Sequence, residues 1–184
     1  LGALHPADRA VRGIIAANLI AIVVAIVSGE GLLLLLWTYW LQSLVIGGFA
    51  YRRIAMLKEF STDGLKINGR AAEPTPATRR WTQNFFLVHY GFFHLVYFMF
   101  LGAFNRMGGR FGTLGRWDPM IVVALGVAFW FSHRQSHREH VAADLAGRPN
   151  LGALMFVPYV RIIPMHITII VGAAIGSGAG IVLF

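Results

Sequence analysis

Apolar residues fall in five long runs separated by polar stretches, at about 13–28, 32–51, 82–104, 119–135 and 162–184. A bilayer crossing needs about 20 mostly apolar residues, so each run is read as a membrane span. The first is short but extendable. Gly29, Glu30 and Gly31 form a tight turn before the second. The pattern predicts an all-α fold: one polytopic membrane helical bundle of about five transmembrane helices over residues 1–184, with a loop at 52–81. Asp63-Gly64, Asn68-Gly69 and the Pro74–Pro76 stretch are turn or breaker signals, and 59–80 is expected to be mobile. Residues 152–161 are apolar but too short to span. Pro158 and Pro164 are expected to interrupt any helix there, which predicts an interfacial or re-entrant segment leading into the fifth span.

Composition supports a membrane class. Charged residues make up 13% of the chain, against about 25% in soluble globular proteins. There is no cysteine. Disulfides, thiolate zinc sites and cysteine-held iron–sulfur clusters are therefore excluded.

The net charge of +8 is unevenly spread. The N-terminal tail carries two basic residues, the 52–81 loop seven, and the fourth span's end together with the segment to the fifth carries four. These thirteen contrast with three on the other side, Arg106, Arg110 and Arg116. The asymmetry places the N-terminus in the cytoplasm and the C-terminus on the far side of the membrane. It reports membrane orientation rather than nucleic-acid binding. Arg9 and Arg12 before an apolar run resemble a signal peptide, but the second run follows at once, so an uncleaved first span is expected.

Candidate chemistry rests on histidines inside the spans. Topology puts His89 ~10 Å from the cytoplasmic side, His133 at a similar depth and His166 ~6 Å in. His133, His137 and His140 share one face of the fourth helix through spacings of four and three. His89, His133, His137 and His166 are the candidate ligands of a transition metal such as zinc, copper or iron. Gln42 and Tyr90 are candidate polar partners of these imidazoles. Arg161 is a candidate partner for an anionic headgroup or a substrate phosphate. His94 lies ~140° from His89 on the helical wheel and is a possible separate ligand for haem or a chlorophyll-type pigment. The alternative is structural, with each histidine hydrogen-bonded to a neighbouring helix. Trp81, Trp117 and Tyr159 suit interfacial belts. Gly172, Gly176 and Gly180 form a smooth stripe for helix packing, against this chain, a second copy or another membrane protein.

Several short segments carry a resemblance. Residues 39–47 (Tyr39-Trp40-Leu41-Gln42-Ser43-Leu44-Val45-Ile46-Gly47), 86–91 around His89, Ser132-His133, Pro158-Tyr159-Val160-Arg161 and Met165-His166-Ile167-Thr168-Ile169 occur in that order. Together they resemble a bacterial family of small multipass membrane proteins classed only as a domain of unknown function. The resemblance implies a fold and a residue set but no activity. It also implies an acidic residue where this chain has Gln42, and a second histidine of the third span displaced here to His94, followed by Tyr97.

Three functions compete on this reading. The first is an intramembrane metal-binding protein of unknown activity. The second is a non-catalytic accessory subunit of a larger bioenergetic or pigment- or haem-containing membrane complex. The third is a transporter, disfavoured because the span interiors hold no acidic or basic side chain besides histidine.

Overall fold

The computed structural model describes residues 31–108 and 112–176. Its elements are α1 (Leu32–Met56), a hairpin of β1 (Lys66–Ile67) and β2 (Arg70–Ala71), α2 (Pro76–Met107), α3 (Asp118–Ala146) and α4 (Leu151–Gly176). The fold is all-α, as the apolar runs predict. Two described helices, α1 and α2, are long and apolar enough to cross a membrane. The first span, at 13–28, lies outside the described residues.

Local chemistry sets the helix starts. Gly31 precedes α1 in the left-handed conformation, at φ 72°. Thr75 caps α2, its side chain accepting the Thr78 N–H at 3.2 Å, and Pro76 fills the first helical position. Asp118 and Pro119 open α3, where a carboxylate favours the helix dipole.

α1 is the central element. It packs against α2, α3 and α4, and α2 also packs against α4. Small residues permit two of these approaches. A Cβ at Gly47 would run into the Tyr90 ring of α2, and one at Gly126 of α3 would run into Leu41 of α1. The main core gathers Leu33 and Leu36 of α1, Phe86, Tyr90, Tyr97 and Leu101 of α2, and Ile162 of α4.

Two expectations are corrected. The 59–80 stretch is built into the fold. Asn68 and Gly69 have φ of 51° and 78° and form the two-residue turn of the hairpin. Phe60 is buried with Ile54, Leu57 and Leu151. α4 also begins at Leu151 and runs through Pro158 and Pro164, with no re-entrant segment. Its start is pinned. Asn150 Oδ1 accepts the Ala153 N–H at 2.9 Å. The Ser61 N–H donates to Pro149 O, and the Leu151 N–H donates to Ser61 O, each at 2.9 Å. This anchorage, with Met155, Tyr159 and Ile162 packed on the core, outweighs a cost of about 3 kcal/mol per interior proline.

Candidate functional site

The histidines divide among three environments, set by helix faces. Gly47 and Phe49 of α1 are two residues apart, so they point ~160° away from each other. Gly47 faces α2, and Phe49 faces α3.

His94 sits in a closed network between α1 and α2. It is 2% exposed. Its Nδ1 lies 2.9 Å from the Tyr90 carbonyl, which only accepts, so Nδ1 carries a proton. Its Nε2 lies 2.7 Å from Ser43 Oγ. The backbone is tied in as well. Trp40 Nε1 donates to His94 O at 2.9 Å, and the Tyr90 hydroxyl donates to Ser43 O at 2.8 Å. The Tyr90 and His94 rings stack at 4.3 Å. In the neutral ring Nε2 is an acceptor for the Ser43 hydroxyl, whose Oγ also lies 2.9 Å from Trp40 O, so two acceptors share its one proton. Both imidazole nitrogens are occupied, and the ring has no edge to offer a pigment or haem. The expected separate cofactor ligand is thus a packing pin between helices.

His89 and His166 lie in a second environment, a groove of about 470 Å³ between α2 and α4. Two rungs bridge it. His89 Nδ1 pairs with the Tyr159 hydroxyl at 2.9 Å, and Tyr97 pairs its hydroxyl with His166 Nδ1 at 3.0 Å. Both rungs advance in the same chain direction, so α2 and α4 run parallel. Phe85, Phe93, Phe156 and Ile163 complete apolar walls. Phe85 stacks on His89 at 5.0 Å, and Phe93 meets its edge at 5.1 Å. Both imidazoles are exposed. Among the described residues neither Nε2 has a hydrogen-bond partner.

His133 and His137 lie on the far side of α1. Their rings contact Phe49 at 5.2 and 4.6 Å, and Phe129 stacks on His133 at 5.6 Å. Gln42, seven residues before Phe49, lies within ~20° of it on the wheel, so it shares this side. Burial, and then the positive field of Arg52, His133, Arg53 and His140, holds the His137 pKa below the usual histidine value. Below this level Asp144, 8% exposed, engages Arg53 through both carboxylate oxygens.

The four expected metal ligands are therefore not one cluster. Among the described residues, no three histidine or acidic side chains come together as one ion would require. The depth estimate for His166 counted from 162, whereas α4 begins at Leu151. His166 pairs with Tyr97, eight residues beyond His89 and ~12 Å further along α2. One ion needs its nitrogens within ~2.1 Å. Tyr90 donates its hydroxyl to Ser43 O and stacks on His94. Arg161, Gly172 and Gly176 lie on α4, but their surroundings, like Gly180, fall outside the described residues. Sequence reasoning missed Ser43, Tyr97 and Tyr159 as polar partners. The spacings 89/97 and 159/166 give matching steps of two helical turns on α2 and α4, and that signal was available.

A family model described as a family of unknown function (DUF6498) matches residues 3–184, and the chain belongs to that family. No curated protein and no solved structure matches the chain.

Proposed function

We propose that this member of a family of unknown function is a multipass inner-membrane protein that binds a lipid-soluble para-quinone in the groove between α2 and α4. Its five spans run at about 13–28, 32–51, 82–104, 119–135 and 162–184, with the N-terminus cytoplasmic and the C-terminus outside. The charge asymmetry of the loops supports this orientation. So do the parallel directions of α2 and α4, since third and fifth spans cross the same way.

The observation that carries the ligand reading is the pair of His–Tyr rungs in an apolar groove. An imidazole nitrogen left unpaired in hydrocarbon costs several kcal/mol. Each tyrosine fixes one nitrogen of its histidine, leaving Nε2 for a ligand. A para-quinone carries two carbonyl acceptors at opposite ends of a flat apolar ring. Two C=O bonds, the ring and a hydrogen bond at each end place the donors ~11 Å apart. The rungs are separated by ~12 Å along α2. Phe85, Phe93 and Phe156 supply aromatic walls for the ring.

The test is equilibrium dialysis of a short-tailed para-benzoquinone against the protein in lipid nanodiscs. One molecule per chain is expected. Replacing both His89 and His166 by phenylalanine removes two hydrogen bonds of about 1 kcal/mol each and weakens binding about thirtyfold. Uptake equal to that of protein-free nanodiscs would refute the proposal. A second reading, an accessory subunit whose partner helix fills the groove, rests on the same exposed rungs. It predicts a native mass well above 20.3 kDa, with a second protein that is lost in the same double variant.

A further inference from the structure

In the orientation proposed above, on which this inference rests, the cytoplasmic end of the bundle holds a second pocket, on the opposite side of α1 from the groove between α2 and α4. It has a volume of about 400 Å³ and lies between the last turns of α1 and the C-terminal half of α3. Arg52 enters from α1. Arg134, His137 and Arg138 enter from α3, all within about one turn on one stripe. Three guanidinium groups thus line one cavity. Like charges at this proximity repel, increasingly so where water is partly excluded. Asp144, the neighbouring carboxylate on α3, does not balance them, because Arg53 engages both of its oxygens.

The remaining walls are apolar. Phe49 and Met56 of α1 face Trp130, Val141 and Leu145 of α3. The Arg134 guanidinium lies 5.5 Å from the centre of the Trp130 ring. The cavity therefore joins a concentrated positive charge to an apolar surface continuous with the span. A free anion would use only the first of these, whereas a phospholipid uses both. Its phosphate meets the arginines, and its glycerol and upper acyl carbons lie along the apolar side. Guanidinium groups suit phosphate oxygens because they donate pairs of parallel hydrogen bonds.

We infer that this pocket is a binding site for the phosphate headgroup of an anionic glycerophospholipid of the cytoplasmic leaflet. Basic pockets between helices on the cytoplasmic side are suited to such headgroups, and each arginine removed is expected to weaken the interaction about fivefold.

Native mass spectrometry of the protein, titrated in detergent with phosphatidylglycerol, phosphatidylcholine or inorganic phosphate, tests the assignment. Phosphatidylglycerol is expected to bind at least tenfold more tightly than phosphatidylcholine, and inorganic phosphate at millimolar concentration is expected not to displace it. A triple variant, Arg52→Gln, Arg134→Gln and Arg138→Gln, is expected to lose the preference. The single Arg138→Gln variant keeps the test decisive if the triple variant does not fold, with an expected loss of about fivefold. A control at Arg70, in the hairpin, is expected to change nothing. Equal affinity for the two lipids in the native protein overturns the proposal. So does a preference that survives in the folded arginine variants. Displacement of the lipid by inorganic phosphate assigns the pocket to a free anion and overturns the lipid source.

Discussion

His89 and His94 stand five residues apart on α2 and occupy opposite kinds of surroundings. His94 is sealed against α1, with both ring nitrogens within hydrogen-bond distance of Ser43 and Tyr90. His89 is exposed in the groove beside α4, with one nitrogen on Tyr159. The ~140° between them on the helix decides this. One side meets a neighbour that approaches to backbone distance at Gly47. The other meets a helix held off by Phe85, Phe93 and Phe156. A histidine whose hydrogen bonds are all made inside the protein serves stability. One that keeps a nitrogen unpaired beside an apolar groove has a hydrogen bond left to offer.

The largest effect should come from breaking the closed side. His94→Ala leaves a cavity, removes one of the two acceptors of Ser43 and takes away the ring stacked on Tyr90, so a loss of about 3 kcal/mol is expected. His89→Ala should cost under about 1 kcal/mol, since the ring is exposed and makes one hydrogen bond. Reversible unfolding in mixed detergent–SDS micelles measures both. Equal losses would erase the distinction between the two sides.

Gly47→Val comes next. The added side chain meets the Tyr90 ring, and overpacking of this kind costs about 2 kcal/mol. At Gly48 an added Cβ meets nothing within 4 Å, so Gly48→Ala is expected to stay within about 0.5 kcal/mol. If both glycines tolerate substitution equally in the same assay, α1 and α2 do not approach as closely as the network requires.

Asp144→Asn sharpens the comparison at the third contact, between α1 and α3. The carboxylate is nearly buried and holds Arg53 through two hydrogen bonds. Its neutralisation should cost about 1.5 kcal/mol. Arg53→Ala should cost a similar amount, and the double variant less than the sum of the two. Additive losses would show that the pair is not coupled.

The smallest effect concerns His137. Its folded pKa is lowered by burial and by the arginines beside it, so the unfolded chain takes up this proton first as pH falls. The stability contribution is full above the ordinary histidine pKa of about 6.5 and declines as pH drops toward the folded value. NMR titration of the His137 ring should give a midpoint below about 6.5, and His137→Asn should flatten the acid limb of the stability curve. A midpoint at or above 6.5 would show that an anion already balances the arginine pocket.

The all-α class and the helices themselves were legible in the chain because apolar runs and helix-start signals are local. Asn68-Gly69 at the hairpin turn and the breaker at Pro74–Pro76, beside which α2 starts, act through their own backbone. The separation of His89 from His94 onto different faces followed from helical period alone. Which histidine meets which partner did not. That depends on the rotation of each helix about its axis and on its axial offset, and neither is a local property. The start of α4 shows the point. Its two prolines argued for a break, but Ser61 and Asn150, distant in sequence, fix the helix at Leu151. That offset moves His166 from the level of His89 to the level of Tyr97. The chain by itself determined that several imidazoles stand within or beside long apolar runs. Tertiary packing decided that they form one sealed pin, two open rungs and one separate basic pocket, because only contacts between helices set register.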